Sequence, residues 1–163
     1  MARTRLDAFA EVLDGPVYVV TVASAGERSG CLVGFASQCS IRPPRFMVWL
    51  STLNHTFRVA RGASHLAVHV LDQDQRPLAE LFGGETGDAV DKFAGVDWRP
   101  SADGSPLLVD ACGWFVGRIE SRIDGGDHVG FLLSPTEVSE PAPTAPTLLR
   151  YGDVRDVSPG HPA

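Results

Sequence analysis

Lysine is almost missing from this chain. Lys92 is the only one among 14 basic residues, which face 20 acidic ones for a net charge of −6 over 163 residues. Nucleic acid and anionic membranes are bound by clustered cations, and the arginines here are scattered, so neither is expected as a partner. Cysteine is scarce as well. Cys31, Cys39 and Cys112 are far apart and form no CxxC pair, which excludes a zinc knuckle and a redox dithiol. Cys31 and Cys112 lie in apolar runs and read as small, reduced core residues. No run of about 18 apolar residues occurs, so no membrane span is expected. The first segment, MARTRLDAFAEVLDG, turns acidic early and lacks the apolar stretch of a secretory signal. A cytoplasmic protein is the expectation.

Several catalytic signatures are absent too. No GxGxxG follows a strand, GGETGD lacks the GK[ST] ending of a phosphate loop, and no GxSxG elbow occurs. The 5 histidines, at positions 55, 65, 69, 128 and 161, show neither HExxH nor HxH spacing. On a strand, His65 and His69 would point to one side roughly 13 Å apart, too far for one ion. No metal is expected.

What is present reads as strands with a few helices between them. With 44% hydrophobic and 21% charged residues the composition is that of a globular protein. Residues 1–157 are expected to form one domain, with 158–163 as a frayed tail. Leu6, Phe9, Ala10 and Leu13 make a short helical stripe that stops at Gly15-Pro16. VYVVTVA at 17–23 is strand-like, breaks at Ala25-Gly26-Glu27, and is followed by a returning strand over 30–40 that Pro43-Pro44 ends. Residues 46–50 form a third strand. Asn54 caps a short helix to position 60, with Gly62 as its stop. Leu66, Val68 and Val70 alternate as a fourth strand. A second helix spans 74–82, with Pro77 in its first turn. Two long strands cover 112–123 and 128–138, and positions 148–151 suggest a last short one. Tight hairpins favour antiparallel pairing, and six or seven such strands close into a barrel to remove exposed edges.

Two local features suit a phosphorylated ligand. The stretch FASQCS, from Phe35 through Ala36, Ser37, Gln38 and Cys39 to Ser40, puts small and polar groups where a strand meets a loop. The strand at 46–50 then runs into Ser51-Thr52-Leu53-Asn54-His55-Thr56 at a helix start, where free N–H groups and the helix dipole favour an anion. The same residues also fit a local role, with Asn54 and Thr56 capping the helix and Ser37 and Ser40 serving a turn. His128, in DGGDHVGF, is open in the same way: it could face a cleft or merely end a turn.

Eight segments in order resemble the flavin reductase-like family, whose fold is the FMN-binding split barrel. They are PVYVVTV, GCLVGFASQCSIRPP, FMVWLSTLNHTFRVARG, HLAVHVLDQDQRPLAELF, DKFAGVDW, GSPLLVDACGWFVGRIES, GGDHVGFLL and PTLLRYGDV. The resemblance implies a mainly β (α+β) fold: an antiparallel six- to seven-stranded split barrel with two or three flanking helices. It implies that Phe35, Ala36, Ser37, Gln38, Cys39 and Ser40 meet the flavin ring and ribityl chain. Ser51, Asn54, His55 and Thr56 would form the phosphate end, and Phe82 and Tyr151 would join the pocket. Lys92, Phe93 and Arg150 are further pocket candidates. The histidine of the family's Gly-Asp-His motif, here His128, would border the nicotinamide.

The implied activity is hydride transfer from NADH or NADPH to FMN or FAD, with the chemistry supplied by the cofactors. A homodimer and a flavin-dependent monooxygenase that takes up reduced flavin are the implied partners. This chain also departs from the family pattern. Leu32-Val33-Gly34-Phe35-Ala36 stands where members often have Thr-Val-Ser-Ser-Phe, Thr52 where a basic residue is frequent, and His69 where asparagine is common. These changes leave open a flavin-binding carrier or sensor without NAD(P)H activity, or a barrel that uses a deazaflavin.

Overall fold

A computed structural model describes residues 4–84 and 91–157. The expected tail at 158–163 lies outside the described residues, as does His161. After helix α1 (Arg5–Ala10) come strands β1 (Tyr18–Ser24), β2 (Glu27–Val33), β3 (Ala36–Ser40) and β4 (Arg45–Ser51). Helix α2 (His55–Ala60), strand β5 (His65–Val70) and helix α3 (Arg76–Gly84) follow. The short strands β6 (Trp98–Pro100) and β7 (Pro106–Leu108) precede the long pair β8 (Gly113–Asp124) and β9 (His128–Val138).

Seven strands form one antiparallel sheet in the order β2-β1-β5-β8-β9-β4-β3, while β6 and β7 pair apart from it. The sheet curls into a half-barrel, as expected for a mainly β protein with three helices. One expectation fails instructively. The continuous strand over 30–40 is two strands, broken at Gly34 and Phe35, and its halves lie on opposite edges of the sheet. Phe35 turns its carbonyl toward β4, accepting from the Trp49 amide at 3.0 Å. Two residues thus carry the chain across the open side of the curl, which local propensity cannot announce.

Turn chemistry explains the hairpins. Ala25 and Gly26 both have positive φ, 51° and 80°, the backbone of a two-residue turn whose twist matches its strands. At the tip of β8 and β9, Gly126 has φ 120°. A Cβ on its neighbour Gly125 would lie 2.6 Å from Trp49 Cζ3, so the close approach of hairpin and indole requires glycine there.

Two large apolar clusters and a small one, Ala67, Leu107 and Val116, share the sheet. The first, inside the curl, joins Val20, Val22, Val33, Leu50, Leu66 and Leu133, with α2 closing one end through Val59 and Ala60. The second packs Val17, Val19 and Leu71 against Phe82 of α3 and against Leu149 and Val154 near the C-terminus. Positions 148–151 form no strand. Leu149 instead threads between Val17 and Leu71, donating to the Leu71 carbonyl at 2.8 Å and accepting from the Val17 amide at 3.2 Å. The stripe on α1 faces solvent, with Leu6 70% and Phe9 61% exposed, and the helix ends well before Gly15. Among the described residues no helix is long and apolar enough to cross a membrane.

Candidate functional site

A cavity of about 320 Å³ opens where the end of β2, the loop after β4, the start of β9, the end of α3 and the C-terminal segment converge. Val17, Val33, Leu50 and Phe82 make its apolar wall, and Phe35, Trp49 and Tyr151 give it aromatic faces. Ser51, Asn54, His55 and His128 form a polar end. Lys92 and Arg155 also line it, and among the described residues no aspartate or glutamate does. In a chain of net charge −6 this cavity is a cationic exception.

Strand pairing assembles the polar end. Ser51, the last residue of β4, pairs with His128, the first of β9. Thr52 fastens the loop to the hairpin: its amide donates to the Asp127 carbonyl at 2.9 Å and its hydroxyl at 3.2 Å. Asn54 caps α2, its side-chain oxygen accepting from the Thr56 amide at 2.9 Å. His55 has both ring nitrogens engaged, Nδ1 with Ser29 Oγ at 2.8 Å and Nε2 with Glu27 Oε1 at 2.6 Å. A carboxylate only accepts, so Nε2 carries a proton. Thr56 is fully buried behind the wall, where its hydroxyl meets Ser29 Oγ at 2.8 Å. It also bonds the Cys31 thiol, whose pKa burial pushes up to about 11 against smaller downward pulls from Thr56 and Lys92.

His128 stands at the mouth with its side chain 26% exposed. Its Nδ1 lies 2.7 Å from Asp127 Oδ1 and, because a carboxylate only accepts, donates to it. Phe35 flanks the imidazole, with ring centres 5.1 Å apart. Lys92 is 5% exposed, and Nζ donates to the carbonyls of Gly30 and Phe82 at 3.0 Å each. Those acceptors are what make a buried ammonium tolerable.

Residues 11–158 match the family model described as "Flavin reductase like domain". The chain belongs to the flavin reductase-like family. It is 32% identical to the NADH:riboflavin 5'-phosphate oxidoreductase of Streptomyces pristinaespiralis, over 96% of this chain and 89% of that one. It is also 32% identical to the reductase subunit of a flavin-dependent monooxygenase from Mycobacterium tuberculosis, over 78% of this chain and 70% of the other. Among solved structures, the NADH:FAD oxidoreductase of Streptomyces globisporus C-1027 superposes with a TM-score of 0.79 at 25% identity, covering 90% and 87% of the two chains. Across the curated relatives compared, the chain spans from 20% of the relative's length to 89%, and 40% of a probable flavin reductase from Rhizobium meliloti.

Of the positions that the family pattern singles out, the fold brings Phe35, Ser51, Asn54, His55, Phe82, Tyr151 and His128 to the cavity. Ala36, Ser37, Gln38, Cys39 and Ser40 run along the edge strand β3 and do not line it, and Ser37, Gln38 and Cys39 are exposed. Thr56 is withdrawn behind the wall. Lys92 lines the cavity, whereas Phe93 packs behind Phe82 and Arg150 is exposed outside it. Sequence reasoning passed over Val17, Trp49 and Arg155. Nothing in their neighbourhoods signals a site, because three distant segments place them together. The departure at Leu32-Val33-Gly34 has a visible consequence: these residues line the cavity without a hydroxyl among them.

Proposed function

We propose that this protein is an NAD(P)H-dependent flavin reductase that passes a hydride from reduced nicotinamide to FMN or FAD. The observation that carries the reading is the cavity itself: aromatic and apolar walls, a hydroxyl- and amide-bearing end, and no carboxylate among its described lining residues. That donor set fits a planar aromatic cofactor bearing a phosphate. When bound, the flavin supplies the hydride-accepting chemistry. The chain's own part is to bind and orient. Phe35, Trp49 and Tyr151 offer ring faces, Ser51 and Asn54 offer polar atoms at one end, and the apolar wall excludes water. His128, held by Asp127, stands at the mouth and borders the nicotinamide.

The names of the relatives support two finer statements. One is an oxidoreductase for NADH and flavin, and another is the reductase subunit of a flavin-dependent monooxygenase. By analogy, reduced flavin made here passes to a monooxygenase partner. Exposed Phe35, Ile41 and Leu53 would be covered in a homodimer. The same reading puts the protein in the cytoplasm, where reduced nicotinamide nucleotides are kept. The test is oxidation of NADH and NADPH by the purified chain with added FMN or FAD. A flavin-dependent rate is expected. A flavin that binds but is not reduced by either nucleotide would make the protein a carrier, and no affinity for any flavin would remove the reading altogether.

A further inference from the structure

Four groups able to carry positive charge line the cavity: Lys92, His55, His128 and Arg155. Lys92 and His55 have partners for their polar atoms, and His128 has one for Nδ1. Lys92 donates to two backbone carbonyls, His55 faces Ser29 and Glu27, and His128 faces Asp127. Arg155 differs. It is exposed, and its guanidinium lies 5.6 Å from the centre of the Tyr151 ring. Among the described residues it donates only one hydrogen bond, from Nη2 to the Glu11 carbonyl at 3.3 Å. No carboxylate pairs with it among the described residues.

The segment that carries Arg155 is anchored. The Tyr151 amide donates to the Gly15 carbonyl at 3.0 Å, and the Gly152 amide to Asp14 Oδ1 at 2.7 Å. Arg76 of α3 grips both carboxylate oxygens of Asp156, at 2.7 and 2.9 Å, and donates to the Asp153 carbonyl. Arg155 is therefore a cation with unused donors, stacked on an aromatic ring and mounted on a fixed backbone. A planar fork of this kind matches the paired oxygens of phosphate.

The polar end at Ser51 and Asn54, where the flavin reading puts the single phosphate of a mononucleotide, belongs to a different element. We propose that Arg155 recognises the diphosphate of a dinucleotide at the C-terminal wall of the cavity. The inference rests on reading the cavity as a flavin and nicotinamide site. Two sources supply that chemistry, FAD and the nicotinamide nucleotide. In either case Arg155 is a specificity-determining residue, dispensable for FMN.

Equilibrium titrations of the full chain test this, with FMN and FAD on the flavin-free protein and with NAD⁺ and NADP⁺ on the FMN-loaded protein. Arg155→Gln should weaken at least one dinucleotide about tenfold, the scale of one charge-assisted hydrogen bond, and change FMN by less than about twofold. Arg155→Lys, which keeps the charge and loses the fork, should fall between. Loss with FAD alone assigns the diphosphate to the flavin; loss with NAD⁺ or NADP⁺ alone assigns it to the reductant. Arg118→Ala, a charge control on β8 outside the cavity, should leave every affinity unchanged. Unaltered dinucleotide binding in Arg155→Gln overturns the proposal, and so does an equal loss of FMN. A wild-type chain that binds neither FMN nor FAD would overturn the flavin reading beneath it, a failure distinct from the other two.

Discussion

His69 on β5 and His128 on β9 sit in one sheet and meet opposite surroundings. His69 is fully buried, and both ring nitrogens have protein partners: Nδ1 donates to the Val19 carbonyl at 2.9 Å, and Nε2 accepts from the Leu108 amide at 3.0 Å. It ties β5 to the β6–β7 hairpin and to β1. Burial pushes its pKa down to about 4, against a smaller upward pull from the Val19 bond. His128 lines the cavity with one nitrogen held by Asp127 and with no partner for the other among the described residues. The difference teaches that a histidine satisfied on both sides is part of the scaffold. One satisfied on a single side keeps an atom for a ligand.

The comparison breaks most visibly at His69. His69→Ala should cost about 3–5 kcal/mol, because it opens a void and leaves a buried amide and carbonyl without partners. Denaturant unfolding measures this, and a loss under about 1 kcal/mol would remove the scaffold role, since that is the scale of a surface change. Next in size is the response to acid. His69 is neutral in the fold down to about pH 4, whereas its reference value is 6.5. Between those values the unfolded chain binds a proton that the folded chain refuses. Stability should therefore fall as pH drops from 6.5 to about 4, by up to about 3 kcal/mol from this group, and no further below. His128→Ala should leave that fall in place, and His69→Asn should flatten it.

Smaller effects sharpen the cavity side. Gly125→Ala would place a Cβ 2.6 Å from Trp49 Cζ3 and 3.1 Å from the His128 carbonyl. The cost should be about 1–3 kcal/mol, with a shift in tryptophan emission as the indole moves. Unchanged emission would mean that the hairpin gives way and Trp49 stays. The smallest energetic change belongs to His128→Ala, which should slow flavin reduction by NAD(P)H about tenfold, or roughly 1.4 kcal/mol of barrier. Stability and flavin affinity should stay near wild type. Stopped-flow reduction with a parallel flavin titration separates these outcomes. Lost flavin affinity with an unaltered rate would make His128 a wall of the flavin site.

Much of the chain is legible from short stretches. The Ala25-Gly26 turn, the Asn54 cap, Pro77 in the first turn of α3 and the alternation of Leu66 and Val68 all depend on neighbours within a few residues. Contacts settled the rest. Phe131 is wholly buried, because β9 lies between β8 and β4 and one of its faces turns into the curl. The stripe on α1 has the right period for packing and packs on nothing among the described residues, since amphipathicity says what a helix can bury and not whether a partner arrives. The β6–β7 hairpin gives no strand signal in the sequence, because strands of three residues carry too little pattern to register.

The cavity divides along the same line. His128 and Ser51 could each be suspected from its own motif, yet only strand pairing between β4 and β9 sets them side by side. Val17, Lys92 and Arg155 line one cavity from positions spread over most of the chain. Their meeting depends on the break at Gly34 and Phe35, which sends β2 and β3 to opposite edges, and on Leu149, which draws the C-terminal segment back across the sheet. Residue order settles turns, caps and periodicity because those are short-range energies. Which surfaces face each other is a long-range outcome of closing the sheet, and in this protein that closure makes the site.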